Sequence, residues 1–160
     1  MIPHRLGGFY RADDPGEPSS LVPRVSVADD ERAVLAEIVA GMSVLEIGTG
    51  LGVSTRAMAA TASRVTTVDI DEWVHGTIWP DLPDNVGCSS STDKLVGPFD
   101  VVFIDGDHSE TALRSDIATG ERLAPGGLLV VHDAEHLKRH LGDGWEFIPT
   151  TYGLATRRVG

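Results

Sequence analysis

Val44-Leu45-Glu46-Ile47-Gly48-Thr49-Gly50-Leu51-Gly52 runs from an apolar stretch through an acid into glycines at alternate positions, and Val53-Ser54-Thr55-Arg56-Ala57-Met58-Ala59-Ala60 follows with the composition of a helix. Glycine lets the backbone take conformations closed to residues with a Cβ and lets it approach a ligand closely, while the N-terminus of the next helix offers free N–H groups. A strand, a glycine turn and a helix in this order form a cradle for a nucleotide-like ligand. A dinucleotide fingerprint, G-x-G-x-x-G, needs a third small residue at Val53, but the third glycine is Gly52. Glu46 also opposes a diphosphate, which a carboxylate pointing into the turn would repel, and suits a ligand carrying an ammonium or sulfonium charge.

Two further strands lead away from this turn. Arg64-Val65-Thr66-Thr67-Val68-Asp69-Ile70-Asp71 is a β-branched run that ends in acids about twenty residues beyond the glycines, the spacing of a carboxylate that accepts hydrogen bonds from ribose hydroxyls. Asp71 has a plainer use as a helix cap. Phe99-Asp100-Val101-Val102-Phe103-Ile104 is an apolar strand that stops abruptly at Asp105-Gly106-Asp107-His108-Ser109. In an open parallel sheet the ligand crevice lies at the carboxyl ends of the strands, so Asp105 and His108 are expected near Gly48 and Asp69.

The string E-x-G-x-G-x-G, here Glu46, Gly48, Gly50 and Gly52, resembles the first motif of class I S-adenosylmethionine-dependent methyltransferases. I-D-G-D-H-S at Ile104 to Ser109 resembles a group of small O-methyltransferase-like domains related to catechol and macrolide-sugar methyltransferases, and Pro125-Gly126-Gly127 before Leu128-Leu129-Val130-Val131-His132-Asp133 is a further hallmark of the family. The resemblance covers roughly residues 40 to 160. It implies a Rossmann-like, doubly wound α/β fold: a mostly parallel seven-stranded sheet with a C-terminal antiparallel hairpin, in a three-layer sandwich. It also implies S-adenosyl-L-methionine as cofactor, held by Glu46, Gly48, Thr49, Gly50, Gly52, Asp69, Ile70, Ser91, Asp93 and Asp105, and O-methylation of a small-molecule acceptor by in-line displacement.

For the chemistry, the resemblance points to His108 and Asp105 as catalytic residues and to a divalent cation at Asp105 and Asp133, whose hard oxygens suit magnesium. The catechol-type ligand set has asparagine after its second aspartate, where this chain has Ala134. His108 or His132 would then complete the site, or His108 would act alone as general base, its ordinary pKa lying near working pH. Most of the six histidines must be structural. Two other functions stay open: a binding or regulatory protein that holds the cofactor without catalysis, and a nicotinamide oxidoreductase.

Composition bounds the remainder. A chain of 160 residues is one domain with a substantial core and little room for a substrate-binding cap, so a homodimer is one way to close the pocket. The formal net charge of −11 argues against a nucleic-acid partner, because phosphate binding is driven by Lys and Arg. A single cysteine, Cys88, fits a reducing compartment. Met1-Ile2-Pro3-His4-Arg5-Leu6-Gly7-Gly8 has no apolar signal core and no apolar run approaches membrane-spanning length, so a cytoplasmic protein with no membrane partner is expected.

Along the chain, residues 1–25 hold a Pro- and Ser-rich stretch read as an irregular tail or lid, ahead of a domain at 26–160. Ser26 and Asp29 resemble a capping box for a helix through Ala40, which Gly41 ends. Between Asp71 and Pro98 the prolines at 80 and 83 leave room only for a short helix, although the family has a longer one. Asn85 to Ser89 reads as a minimal third strand, and Trp73 and Trp79 as core or cover residues. Glu110 to Arg122 and His136 to Leu141 read as helices, and residues 145–159 as a hairpin around Tyr152-Gly153.

Overall fold

Strands with no polar face, such as Val101–Ile104, are stable when covered on both sides, which requires helices above and below the sheet. The computed structural model, which describes residues 27–160, has that arrangement. Its strands are β1 (Ser43–Ile47), β2 (Arg64–Val68), β3 (Val86–Ser89), β4 (Val101–Ile104), β5 (Leu128–His132), β6 (Glu146–Ile148) and β7 (Leu154–Arg158). They lie in the order β3-β2-β1-β4-β5-β7-β6. The first five are parallel, and β7 runs antiparallel between β5 and β6. The expected mostly parallel seven-stranded sheet with a terminal hairpin is the observed one.

The helices are α1 (Asp29–Ile38), α2 (Val53–Ala59), α3 (Glu72–Thr77), α4 (Glu110–Leu123) and α5 (Ala134–Leu141). Because side chains alternate across a strand, the core divides into two apolar layers. Val44, Val65, Val101, Phe103 and Val130 pack against Leu35 of α1, Val39 just beyond its end and Met58 of α2. Leu45, Ile47, Val102, Ile104, Leu129 and Val131 pack against Leu113 and Leu123 of α4 and Leu137 and Leu141 of α5. Each such fully buried side chain contributes about 1.5–3 kcal/mol.

Local boundaries follow the residues available. The Ser109 hydroxyl caps α4 by accepting from the Ala112 N–H at 3.2 Å, and Asp71 caps α3 by accepting from the Trp73 N–H at 2.9 Å. For α1 the capping pair differs from expectation: Ser26 lies outside the described residues, and the Ala28 N–H donates to Glu31 at 2.8 Å. The helix ends at Ile38 rather than Ala40, with Gly41 beyond it at φ +72°. The tail or lid expected at residues 1–25 also lies outside the described residues. Between β2 and β3 the chain makes only the six residues of α3 and a 3-10 turn at Trp79–Asp81, the shortening that the prolines predict.

The strand order reverses between β1 and β4, the kind of switch point at which open α/β sheets bind ligands beyond the carboxyl ends of their strands. Among the described residues no helix is long and apolar enough to cross a membrane.

Candidate active site

The turn after β1 is built as its glycines require. Gly48, Gly50 and Gly52 all have positive φ, at +100°, +52° and +74°. At Gly48 a Cβ would stand 2.2 Å from the Asp105 carbonyl oxygen, so glycine is what lets the ends of β1 and β4 approach. Gly50 differs: no atom lies within 4 Å of where its Cβ would stand, so the turn faces open space there.

Glu46, at the end of β1, is fully buried. Its carboxylate accepts from the hydroxyls of Ser54 (2.5 Å) and Thr55 (2.5 Å) on α2 and of Thr67 (2.7 Å) on β2. Burial pushes its pKa up to about 7 in spite of these bonds, and the charge of Asp105 adds to the rise. A carboxylate enclosed in this way ties β1, β2 and α2 together, and it has no surface on which to meet the ligand ammonium expected from sequence. The network extends outward: Thr49 Oγ1 and Thr67 Oγ1 are 2.7 Å apart, and the Trp79 indole N–H donates to Thr49 Oγ1 at 3.2 Å. Because Thr67 donates to Glu46, the donors run in one direction, from Trp79 through Thr49 and Thr67 to Glu46.

Asp69 stands where the sequence places a ribose acid. Its Oδ2 accepts from the Thr49 and Gly50 N–H groups, both at 3.0 Å, and its Oδ1 from the Asp71 N–H at 2.9 Å. The acid at the end of β2 therefore holds the glycine turn itself. Ile70 beside it is an apolar side chain 86% exposed. His75 of α3 stacks on Trp79 with ring centroids 3.9 Å apart, and its Nε2 lies 2.6 Å from the Asp69 carbonyl oxygen. Ser91 and Asp93 are brought to the turn after β3, where the Ser91 hydroxyl accepts from the Asp93 N–H at 3.1 Å. Their bonds are local, unlike those of Asp69.

A second cluster occupies the ends of β4 and β5. His132 is buried, with Nδ1 3.1 Å from Asp105 Oδ1 and 3.3 Å from Asp133 Oδ2, and Nε2 2.8 Å from Glu31 Oε2. His108 Nε2 lies 2.9 Å from the same Asp133 Oδ2. Asp133 is the one described non-glycine residue with positive φ, at +53°, a conformation that costs energy and that aims its carboxylate at both imidazoles. Burial alone would lower the His132 pKa, but Asp105, Asp133 and Glu31 push it up to about 12. Burial opposes the same effect in His108, whose pKa is raised by the bond and charge of Asp133. Asp133 is held well below the usual carboxylate range by the two histidines, which outweigh its burial, whereas burial raises Asp105.

Glu31 is the member of this cluster that the sequence reading missed. It is fully buried at the start of α1, where its Oε1 accepts from the Tyr152 N–H at 2.7 Å and from the Thr150 hydroxyl at 3.1 Å. Burial would raise its pKa, but the hydrogen bond and charge of His132, with the Ala28 and Tyr152 N–H groups, hold it below the ordinary value. An acid in the first turn of a helix reads as a cap or a dipole partner, and nothing local announces a partner 101 residues away.

Asp105, His132 and Asp133 each offer a ligand atom within 4.8 Å of the others, and so fit a divalent cation. The imidazole nitrogen departs from the all-oxygen set that magnesium prefers, and Ala134, fully buried, offers no ligand. The glycine turn, Asp69 and exposed Ile70 fit an adenosyl group: open space at Gly50, an acid at ribose distance in sequence, and an apolar face beside it.

A family profile described as a methyltransferase domain matches residues 45–134. A search of curated protein sequences returned no match. Among solved structures, the N-methyltransferase NodS from Bradyrhizobium japonicum WM9 superposes with a TM-score of 0.62 at 18% identity, covering 81% of this chain and 94% of that one. The O-methyltransferase TomG from Streptomyces achromogenes, solved with S-adenosylmethionine, gives 0.60 at 15%, covering 89% and 85%. The tRNA (m1A58) methyltransferase TrmI from Aquifex aeolicus gives 0.62 at 15%, covering 84% and 70%. At such identities the likeness is one of fold. It corrects one expectation: net charge does not exclude a nucleic-acid partner, since TrmI and two rRNA methylases share this fold. The physical reason is that net charge sums over a whole surface, whereas phosphate contact needs only a local basic patch.

Proposed function

This chain belongs to the methyltransferase-domain family, and from that premise we propose that it transfers a methyl group from S-adenosylmethionine to an oxygen of a small-molecule acceptor, as an O-methyltransferase of the I-D-G-D-H-S group. The observation that carries this function is the placement of a histidine and acid pair, His108 and Asp133 with Nε2 and Oδ2 2.9 Å apart, beyond the carboxyl ends of β4, which adjoins β1, and of β5 beside it. Solved relatives of this fold hold S-adenosylmethionine or S-adenosyl-L-homocysteine, and the cradle here has the backbone for the same group.

In methyl transfer the sulfonium charge disappears as the acceptor oxygen attacks the methyl carbon from the side opposite sulfur. Alignment of acceptor, carbon and sulfur supplies up to roughly 7–11 kcal/mol of the barrier lowering. Gly48, Thr49, Gly50 and Gly52 shape the floor of the donor pocket, Asp69 accepts from the ribose, and Ile70 covers the adenine. Because Asp69 already bonds the Thr49 and Gly50 N–H groups through Oδ2, it orders the cradle and presents its other oxygen's lone pairs to the hydroxyls. Ser91 and Asp93 supply polar contacts at the β3 end.

The acceptor hydroxyl must lose its proton. His108, 31% exposed and with Nε2 2.9 Å from Asp133 Oδ2, is the imidazole placed to accept that proton. Asp105 is too enclosed to act as a free base and supports the site through His132. A divalent cation held by Asp105 and Asp133 would polarise the acceptor oxygen.

The test is release of S-adenosylhomocysteine on incubation with S-adenosylmethionine and a panel of phenols, sugars and transfer RNA. Product with a phenol or sugar and its loss in His108→Ala support the assignment. Tight cofactor binding with no product from any acceptor makes the chain a binding module instead, and product from RNA alone overturns the small-molecule acceptor.

A further inference from the structure

We propose that His75 and Trp79 are positioning residues for the methyl donor: stacked on one another, they fasten the end of β2 to the turn after β1 through Asp69 and Thr49. This deepens the function given above and rests on its assignment of the glycine turn and Asp69 to S-adenosylmethionine.

The two ring nitrogens have roles that chemistry fixes. An indole N–H only donates, and Trp79 gives its hydrogen to Thr49 Oγ1 at 3.2 Å. A backbone carbonyl only accepts, so His75 Nε2, 2.6 Å from the Asp69 carbonyl oxygen, carries a hydrogen. Each ring therefore reaches a different wall of the donor pocket: Trp79 the glycine turn, His75 the strand end that bears the ribose acid.

These contacts close into a ring of four residues. The Thr49 N–H donates to Asp69 Oδ2 at 3.0 Å, the Asp69 carbonyl accepts from His75, His75 lies on Trp79 with centroids 3.9 Å and planes 21° apart, and Trp79 returns to Thr49. A shift of any one member strains its contacts with both neighbours. Thr49 has no spare hydrogen with which to rearrange, because its hydroxyl donates to Thr67, whose own hydrogen goes to Glu46. A ligand that finds its pocket already ordered binds without giving up free energy to order it, so loosening the ring shows as lost affinity.

The backbone that carries the two rings is fitted to the same turn. Asp71, whose N–H bonds Asp69 Oδ1, caps α3 and starts the helix from the strand end. His75 and Trp79 follow four positions apart on a helical stretch, the spacing at which side chains meet. Further along, a Cβ at Gly52 would stand 3.0 Å from Ile78 Cγ2 and 3.1 Å from Leu82 Cδ2, and Arg56 joins the Asp81 carbonyl, at 3.0 Å, to the Gly52 carbonyl, at 3.4 Å. Gly52 lacks a side chain where this segment presses on it, so residues 75–82 lie along the glycine turn.

The experiment is calorimetric titration of the full chain with S-adenosyl-L-homocysteine, for wild type, Trp79→Phe, Thr49→Val and the double variant. Phenylalanine keeps a ring on His75 and removes the indole N–H, so Trp79→Phe is expected to weaken binding about 3–10-fold. Since the indole acts through Thr49, the double variant is expected to bind no more than about twofold more weakly than Thr49→Val alone. His75→Phe, which keeps the stack and loses the bond to Asp69, is expected to weaken binding about 3–10-fold as well. A purely structural role lowers the denaturation midpoints of these variants and leaves the affinity of the folded chain as it was. In the wild-type chain the Trp79 indole N–H proton resonance, identified by its cross-peaks to the His75 ring, is expected to shift when the ligand is added, a reading that needs no variant to fold. Unweakened binding in folded Trp79→Phe and His75→Phe, additive losses in the double variant, or an indole resonance that ignores the ligand overturns the proposal. With wild-type binding intact, only the roles of His75 and Trp79 then fall. A wild-type chain that binds no S-adenosyl-L-homocysteine overturns the methyl-donor assignment itself, and the proposal with it.

Discussion

Ionising Glu46 puts a charge where water does not reach, between β1, β2 and α2, and its pKa is accordingly pushed up to about 7 by burial. A carboxyl that binds its proton more tightly when folded contributes stability that is full below its unfolded pKa and is lost as pH rises through the folded one. The loss runs from about pH 4.5 to about pH 7 and amounts to about 3 kcal/mol. Glu46→Gln keeps a partner for the three hydroxyls without the charge. The difference in urea-unfolding free energy between Glu46→Gln and wild type is therefore expected to move in favour of the variant between pH 5 and pH 8, and an unchanged difference refutes the buried ionisation. Asp69 and His108 separate binding from turnover. Asp69→Ala removes a charged acceptor from two N–H groups of the turn, so cofactor affinity is expected to fall about 10–100-fold by calorimetry. His108→Ala is expected to lower kcat about 10²–10⁴-fold while leaving that affinity unchanged.

The turn after β1 and the start of α1 show why one element was readable and the other not. Alternate glycines have a meaning in isolation, since positive φ and close approach are properties of the backbone, and Gly48 bears it out with 2.2 Å between a would-be Cβ and the Asp105 carbonyl oxygen. Gly48→Ala is expected to cost at least about 3 kcal/mol, read as a lower thermal midpoint, because the clash is with backbone that has nowhere to move. The ends of β2, β4 and β5 were readable for a similar reason: an apolar strand that stops at Asp69, Asp105 or Asp133 marks the sheet edge where chemistry collects. Glu31 was not, because its meaning lies in Thr150, Tyr152 and His132, which only the fold brings to α1. The same holds for Glu46, whose position was recognised but whose enclosure by Ser54, Thr55 and Thr67 depends on how α2 packs. Glu31→Ala leaves a buried imidazolium without one acceptor and two chain segments without their tie. An unfolding free energy lower by about 3–5 kcal/mol is expected in denaturant titration.

Across the molecule, the sheet sorts its work by side. The β1–β2 half carries the cradle through contacts close in sequence, with Glu46 bonded to residues 8, 9 and 21 positions away. The β4–β5 half carries the histidine cluster through contacts across most of the chain, and β7 enters between β5 and β6 to hold β5 in place. Two halves built on such different sequence separations order at different cost, since each closed loop loses chain entropy. Because Glu31 waits for the backbone of Tyr152, a ribosome has to deliver the chain through residue 152 before the histidine and acid cluster is complete, whereas the bonds of Glu46 and Asp69 to the glycine turn and its neighbours join residues no more than 21 positions apart.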